Sequence, residues 1–276
     1  MAILDAHTHV FPPEVICRRD EISARDSGFS LLYRDPRARM ADGKDLAVYM
    51  DREGVDMSVA FCFPFRDAGL VRLVNDYVLE CARLDARILP FAVVDTHDEK
   101  AAVSEAERCL RKGARGVGEM AYYEGGFGAD ERRRLEGLAC FLEQTGLPLL
   151  LHLNEQVGHD YPGKTPVDFA EVVRFVETHP SLRMILAHMG GGICFYEFMP
   201  EIEKAFPLVY YDLAAAPFLY SNALYAFAAK FLTKKVLFGS DFPLLTLARY
   251  RAALEGLDDE AKKLILYENG RRLFGT

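Results

Sequence analysis

Eight short apolar runs alternate with longer amphipathic stretches along this chain, and no other feature constrains the fold as much. The runs are Ile3–Ala6, Val59–Phe63, Ile88–Val94, Ala114–Glu119, Pro148–Leu153, Arg183–His188, Leu208–Leu213 and Val236–Ser240. Each has the length and the Val, Leu and Ile content of a strand buried on both faces. Between them, apolar residues recur at three- and four-residue steps over Lys44–Glu53, Leu70–Ala86, Asp98–Lys112, Asp130–Thr145, Pro166–Thr178, Cys194–Phe206 and Phe218–Phe231. Leu247–Leu254 and Asp258–Phe274 follow the eighth run. Thr165-Pro166 reads as the cap and first residue of the helix that carries Val167, Ala170, Val173, Phe175 and Val176. Strands joined through helices run parallel. Eight such units in 276 residues predict an α/β fold, a closed (β/α)8 TIM barrel forming one domain over 1–276. A doubly wound open sheet is the rival. Residues 10–45 carry no strand pattern. They form a long insertion after strand 1, either a lid over the barrel mouth or a surface excursion.

Charge and cysteine usage narrow the function classes. Lys+Arg is 33 and Asp+Glu is 41, a net charge of −8, so the chain lacks the basic footprint of a nucleic-acid binder. Arg132, Arg133 and Arg134 sit beside Glu131 and Glu136 and read as a solvated helix face. No apolar run reaches the ~18 residues of a membrane helix, which predicts no membrane partner. The six cysteines, at 17, 62, 81, 109, 140 and 194, make no C-x-x-C pair. They read as free thiols of a cytoplasmic protein. A small-molecule substrate is the expected partner. A homodimer is compatible with a barrel, although nothing in the sequence marks an interface.

The chemistry gathers at strand ends. His7-Thr8-His9 follows strand 1, and side chains two apart in an extended chain point the same way. Asp5, at the same phase, suits a supporting role for those imidazoles. Strand 5 ends in His152, strand 6 in His188 and strand 8 in Gly239-Ser240-Asp241. Barrel active sites form at the C-terminal ends of strands, so these residues converge on one mouth. Any one of them alone is read equally well as a satisfied core histidine. Burying several unpaired polar groups costs roughly 1–3 kcal/mol each, which disfavours that reading for the whole set. Three imidazoles and one carboxylate are what a metal site needs.

Other motifs carry less. Gly116-Val117-Gly118-Glu119-Met120-Ala121 matches a dinucleotide fingerprint on paper, but its glycines lie within a strand. Gly190-Gly191-Gly192 reads as a phosphate cradle or as backbone passing close beside His188. The loop after strand 5 holds Asn154, His159 and Lys164. It is either a solvated loop or a substrate-facing one in which His159 and Lys164 suit a carboxylate. His97 and His179 are uninformative, the latter favoured at a helix end by the dipole.

Asp5-Ala6-His7-Thr8-His9, His152, Ala187-His188-Met189-Gly190-Gly191 and Gly239-Ser240-Asp241-Phe242-Pro243 resemble, in order and across the chain, the amidohydrolase superfamily. The likeness is to the amidohydrolase-related branch that includes aminocarboxymuconate-semialdehyde decarboxylase. The resemblance implies a metal-dependent barrel in which His7, His9, His152 and Asp241 bind a divalent cation, zinc foremost. It also implies that His188 and Asp241 handle protons as the catalytic pair. Where binuclear relatives place a carboxylated Lys on strand 4, this chain has Glu119, a candidate bridging ligand, so one or two ions are expected. The leading expectation is a hydrolase that uses metal-activated water on an amide, lactone or ester carrying a carboxylate. The alternative is a nonoxidative decarboxylase of an unsaturated or aromatic acid. A ligand-binding barrel without catalysis is the third reading.

Overall fold

The computed structural model describes residues 1–276. Its eight strands lie in one sheet in the order β1-β2-β3-β4-β5-β6-β7-β8, and every neighbouring pair is parallel. They are β1 (Leu4–His9), β2 (Met57–Phe61), β3 (Ile88–Ala92), β4 (Gly116–Met120), β5 (Leu149–Leu151), β6 (Met184–Leu186), β7 (Val209–Asp212) and β8 (Val236–Leu237). The seam between β8 and β1 closes through backbone bonds from Ala6 N to Phe238 O at 2.8 Å and from His9 N to Phe242 O at 2.7 Å. This is the (β/α)8 barrel, not the open sheet. Asp5 fastens the same seam: it accepts from the amides of His7 and Ser240 and from the Tyr49 hydroxyl. It touches no imidazole, so its part is to hold backbone rather than to orient a ring.

Three short helices, α1 (Pro13–Cys17), α2 (Arg19–Ser23) and α3 (Ser27–Tyr33), fill the stretch after β1. Phe29, buried on α3, packs on Phe11, Phe63 and Phe65, so the insertion is tied to the tops of β1 and β2. The barrel helices that follow are α4 (Gly43–Glu53), α5 (Ala68–Leu84), α6 (Glu99–Arg111), α7 (Ala129–Thr145) and α8 (Phe169–Thr178). Asp42, Asp67, Asp98 and Asp168 cap α4, α5, α6 and α8 by accepting first-turn amides.

The helix expected over Phe218–Phe231 is split into Ala216–Leu219 and Ala223–Phe231, and two further expectations need correction. The helix expected from Pro166 begins at Phe169, because the Asp168 carboxylate takes the amides of Ala170 and Glu171. Phe127 and Val167 form a bridge instead, which holds residue 167 extended. The stretch Cys194–Phe206 is not one helix. A 3-10 turn over Ile193–Phe198 gives way at Pro200 to Pro200–Ala205, and Pro is tolerated there because it starts a helix rather than interrupting one.

The glycine motifs resolve as backbone devices. Gly118 lies within β4 at φ +130°, and a Cβ there would stand 2.3 Å from the Leu150 carbonyl oxygen. The next helix opens only at Ala129, not directly after the glycines, so the dinucleotide reading falls. Gly191 passes so close to Asn154 that a Cβ would stand 2.2 Å from its carbonyl oxygen. The amides of Gly191 and Gly192 bond to His188 O and Met189 O, leaving no open phosphate cradle. All six cysteines are free, four of them buried. No helix is long and apolar enough to cross a membrane.

Asn75 on α5 locks the helix to the end of β3: its amide donates to Val93 O and accepts from Val93 N, both at 2.9 Å and buried. Asn75→Ala leaves both backbone groups unpaired. It should lower the unfolding free energy by about 2–4 kcal/mol, read as a fall in urea midpoint at unchanged m-value.

Candidate metal centre

β1 delivers two imidazoles to one point: His7 and His9 project from the same face, and their Nε2 atoms lie 3.2 Å apart. β1 extends through both residues instead of ending before them. Asp241, in the turn after β8, brings Oδ1 to 3.6 Å from His7 Nε2 and 3.2 Å from His9 Nε2. Glu119 on β4 brings Oε2 to 3.6 Å from each of the same nitrogens. Its other oxygen faces a second group, 2.9 Å from His152 Nδ1 and 3.3 Å from His188 Nε2, which are 3.1 Å from one another. The strand-end residues singled out from the sequence therefore share one cluster, with Glu119 between its halves. His152 stands beside His188, across Glu119 from His9.

Asp212, at the end of β7, organises this cluster, and sequence reasoning passed over it. Fully buried, it places Oδ2 2.9 Å from His7 Nδ1 and accepts the His188 and Ala214 amides through Oδ1. A carboxylate on Nδ1 fixes the tautomer that leaves the Nε2 lone pair facing the cluster. The signal was available: β7 ends in an acid just as β8 is followed by one, but Asp212 fell inside the apolar run Leu208–Leu213. Asn154 gives His152 similar support, with Oδ1 2.6 Å from Nε2 and Nδ2 donating to Thr165 O. His188 Nδ1 lies 3.0 Å from the Ala214 carbonyl.

Burial is the largest influence on His7, His188, Glu119 and Asp241, and it opposes charge. At His7 the Glu119 and Asp212 carboxylates overrule burial and hold the ring well above its ordinary range. At His188 the Glu119 hydrogen bond and charge overrule it and push the ring up to about 9. Glu119 lies well below the usual carboxylate range because His7 and His152 outweigh burial. His9 and His7 draw Asp241 down to about 2. Protons on the imidazoles thus balance the buried carboxylates of Glu119, Asp212 and Asp241. A cation does the same with fewer opposed lone pairs. Donors about 2.1 Å from one cation lie about 3.0–3.5 Å apart, close to the 3.2–3.6 Å that separates His7 Nε2 and His9 Nε2 from one another and from the Glu119 and Asp241 oxygens. Imidazole nitrogen and carboxylate oxygen, with no thiol, fit a divalent first-row metal.

The cluster floors a cavity of about 440 Å³. Tyr33, Tyr123, Tyr161 and Phe218 form its aromatic walls, and Arg39 stands at its edge. Burial pushes the Tyr33 and Tyr123 phenols well above their ordinary value, so both stay neutral. Of the loop residues expected to face a substrate, His159 lines the cavity. Asn154 sits behind His152. The Lys164 ammonium is drawn away to the carbonyls of Val157, Gly158 and His159, which it holds at 3.1, 3.3 and 3.0 Å. Arg39, Tyr33 and Tyr123 were not anticipated, because the stretches that carry them show no periodic pattern in the sequence.

The sequence matches a family model described as Amidohydrolase over residues 4–276. No curated protein matches it. Among solved structures, 5-carboxyvanillate decarboxylase from Sphingomonas paucimobilis is similar at 18% identity, covering 99% of each chain with a TM-score of 0.80. The 5-carboxyvanillate decarboxylase of Novosphingobium aromaticivorans, complexed with manganese and 4-hydroxy-3-methoxy-5-nitrobenzoic acid, is 15% identical. It covers 100% of this chain and 96% of that one, with a TM-score of 0.76. The 2,6-dihydroxybenzoate decarboxylase from Rhizobium is 17% identical, covering 100% of this chain and 99% of that one, with a TM-score of 0.71. At these identities the likeness is one of fold.

Two outcomes follow for cation binding. Asp212→Asn puts an N–H where Oδ2 faced His7 Nδ1, so His7 turns its own N–H toward the cluster. Divalent-metal affinity should fall about 10–100-fold in a chelator competition, with the circular dichroism unchanged. Metal uptake must also displace a proton from His7, and a cation on Glu119 and Asp241 weakens the charge that holds the proton on His188. Affinity should therefore rise as pH climbs from 6.5 toward about 9, with proton release seen by calorimetry in buffers of different ionisation enthalpy.

Proposed function

This chain belongs to the amidohydrolase family, and from that membership we propose that it is a metal-dependent nonoxidative decarboxylase of an aromatic acid. The observation that carries the reading is the cavity. A cluster of metal-type donors opens directly onto walls made by Tyr33, Tyr123, Tyr161 and Phe218, with the Arg39 guanidinium at the edge. Flat aromatic walls suit a ring, and a guanidinium suits a carboxylate. The volume falls within the ~300–1,000 Å³ of small-molecule sites. The similar folds of decarboxylases acting on 5-carboxyvanillate and 2,6-dihydroxybenzoate add support. Hydrolysis of an amide, ester or lactone, the leading expectation from sequence, calls on the same donors but gives no account of the aromatic walls.

A divalent cation, zinc or manganese, would be held by His7, His9, Glu119 and Asp241. It would supply a fixed positive charge for the oxygens of the acid. Around it, Arg39 and His159 hold a second anionic substituent and the tyrosines clamp the ring. Asp241 and His188 relay a proton to the ring carbon that bears the departing carboxylate. The C–C bond breaks, its electron pair remains on that carbon and takes the proton, and CO₂ leaves. Glu119 faces both halves of the cluster and suits a bridging role where two ions bind. Six free thiols fit a reducing, cytoplasmic compartment.

The test is a panel of hydroxybenzoic and methoxybenzenedicarboxylic acids, offered to protein loaded with zinc or manganese. Release of CO₂ is measured together with the decarboxylated product, which should carry one deuterium when formed in D₂O. Asp241→Asn should lower kcat by about 10²–10⁴-fold. Arg39→Ala should raise KM by about 10–100-fold with little change in kcat. Silence across the acids combined with turnover of an ester, lactone or amide would sink decarboxylation and restore the hydrolytic reading.

A further inference from the structure

At the opposite end of the barrel a second group of donors converges, with no part in the cavity. Cys140 and Glu143 stand one turn apart on α7, and His179 follows the last residue of α8. One donor atom from each lies within 4.8 Å of the others. His179 is buried, and both of its nitrogens face carboxylates: Nδ1 is 3.1 Å from Glu143 Oε2, and Nε2 is 2.9 Å from Glu136 Oε2. A neutral imidazole satisfies only one such contact by donating its single N–H. The other places a nitrogen lone pair against an oxygen lone pair.

The surroundings say which side is unbalanced. Glu136 is already paired with Arg132, whereas Glu143 has no Lys or Arg within ion-pair distance. The Ser181 amide, 3.1 Å from Glu143 Oε1, fixes that carboxylate in place. Its Oε2 therefore faces a buried ring and the preceding turn of helix, which presents a thiol. We propose that Cys140, Glu143 and His179 Nδ1 form a peripheral site for a thiophilic divalent cation of the zinc class.

The chemistry is complete on these residues. Thiolate, imidazole and carboxylate supply three protein donors, and the exposed side leaves a fourth position for water. Donors around a tetrahedral zinc lie about 3.3–3.6 Å apart, so the 3.1 Å Nδ1–Oε2 gap opens only slightly to admit it. Glu136 on Nε2 is the supporting carboxylate that fixes the tautomer and turns the Nδ1 lone pair toward the metal. Binding releases the thiol proton to solvent. α7 and α8 run back from the mouth, so the site clips their ends together at the face where barrel residues serve stability rather than catalysis.

The thiol makes the site separately visible, because the catalytic cluster has only nitrogen and oxygen donors. Cobalt(II) titrated into the full-length protein should give a thiolate-to-metal charge-transfer band in the near ultraviolet, displaced by zinc. Cys140→Ser, a change at an exposed position, should abolish the band and remove one equivalent of zinc by elemental analysis. Glu136→Gln, which leaves all three donors in place, should weaken binding about 10–100-fold. Absence of the band overturns the proposal in favour of an imidazolium clamped between two glutamates, seen by NMR as two N–H protons on His179. A band that survives Cys140→Ser, or an unchanged zinc content, also overturns it.

Discussion

A buried carboxylate among imidazoles is the contact on which this molecule turns. Glu119 is buried on β4, at the floor of the cavity, and faces His7, His9, His152 and His188 within 3.6 Å. An unpaired charge in that position would cost several kcal/mol or more, so the strand ends have to supply compensation. Parallel strands do this cheaply. Every strand points its C-terminal end at the same mouth, and residues distant in sequence become neighbours there without any loop having to fold inward. The cluster is thus a product of topology first and of side-chain choice second.

Behind the donors stands a second set of acids whose partners are mostly backbone. Asp5 fastens β8 to β1 through the amides of His7 and Ser240, and Asp212 takes the amides of His188 and Ala214. Burial raises Asp5 to about 6 even with these donors around it. The two acids differ in what they reach beyond backbone. Asp5 ends on the Tyr49 hydroxyl, so it serves the barrel seam, whereas Asp212 ends on His7 Nδ1, so it serves the site.

The barrel and the cluster were legible because both rest on periodic signals. Apolar runs of strand length recur eight times, and His152, His188 and Asp241 each close one. What was missed lacks such a signal. Asp212 ends β7, but in the sequence it lies inside an apolar run, hidden between Tyr211 and Leu213. Arg39 and Tyr33 come from the insertion, whose three short helices depend on packing Phe29 against Phe11, Phe63 and Phe65, contacts that only the closed barrel creates. The start of α8 was misplaced because Thr165-Pro166 and Asp168 both carry starting signals. Asp168 prevailed by accepting two amides while Val167 bridged to Phe127.

The backbone itself marks where function was placed. Four residues other than glycine adopt left-handed conformations: His188 (φ 57°), Met189 (φ 56°), Ala215 (φ 54°) and Asp241 (φ 64°). Each sits just past the end of β6, β7 or β8, at the mouth. Such positions cost on the order of 1–3 kcal/mol apiece and persist only where surrounding bonds over-determine them. Those bonds are present. Asp212 Oδ1 holds the His188 amide, the Asp241 amide donates to His7 O at 3.0 Å, and Ala214 beside Ala215 is held by the same Asp212 oxygen. Relaxing any of these turns to ordinary helical or extended geometry would swing His188 or Asp241 out of the cluster. The strain is therefore confined to the ends of β6, β7 and β8 at the mouth, and the acid that orients His7 also holds the turns at His188 and Ala215, while the His7 carbonyl holds the one at Asp241.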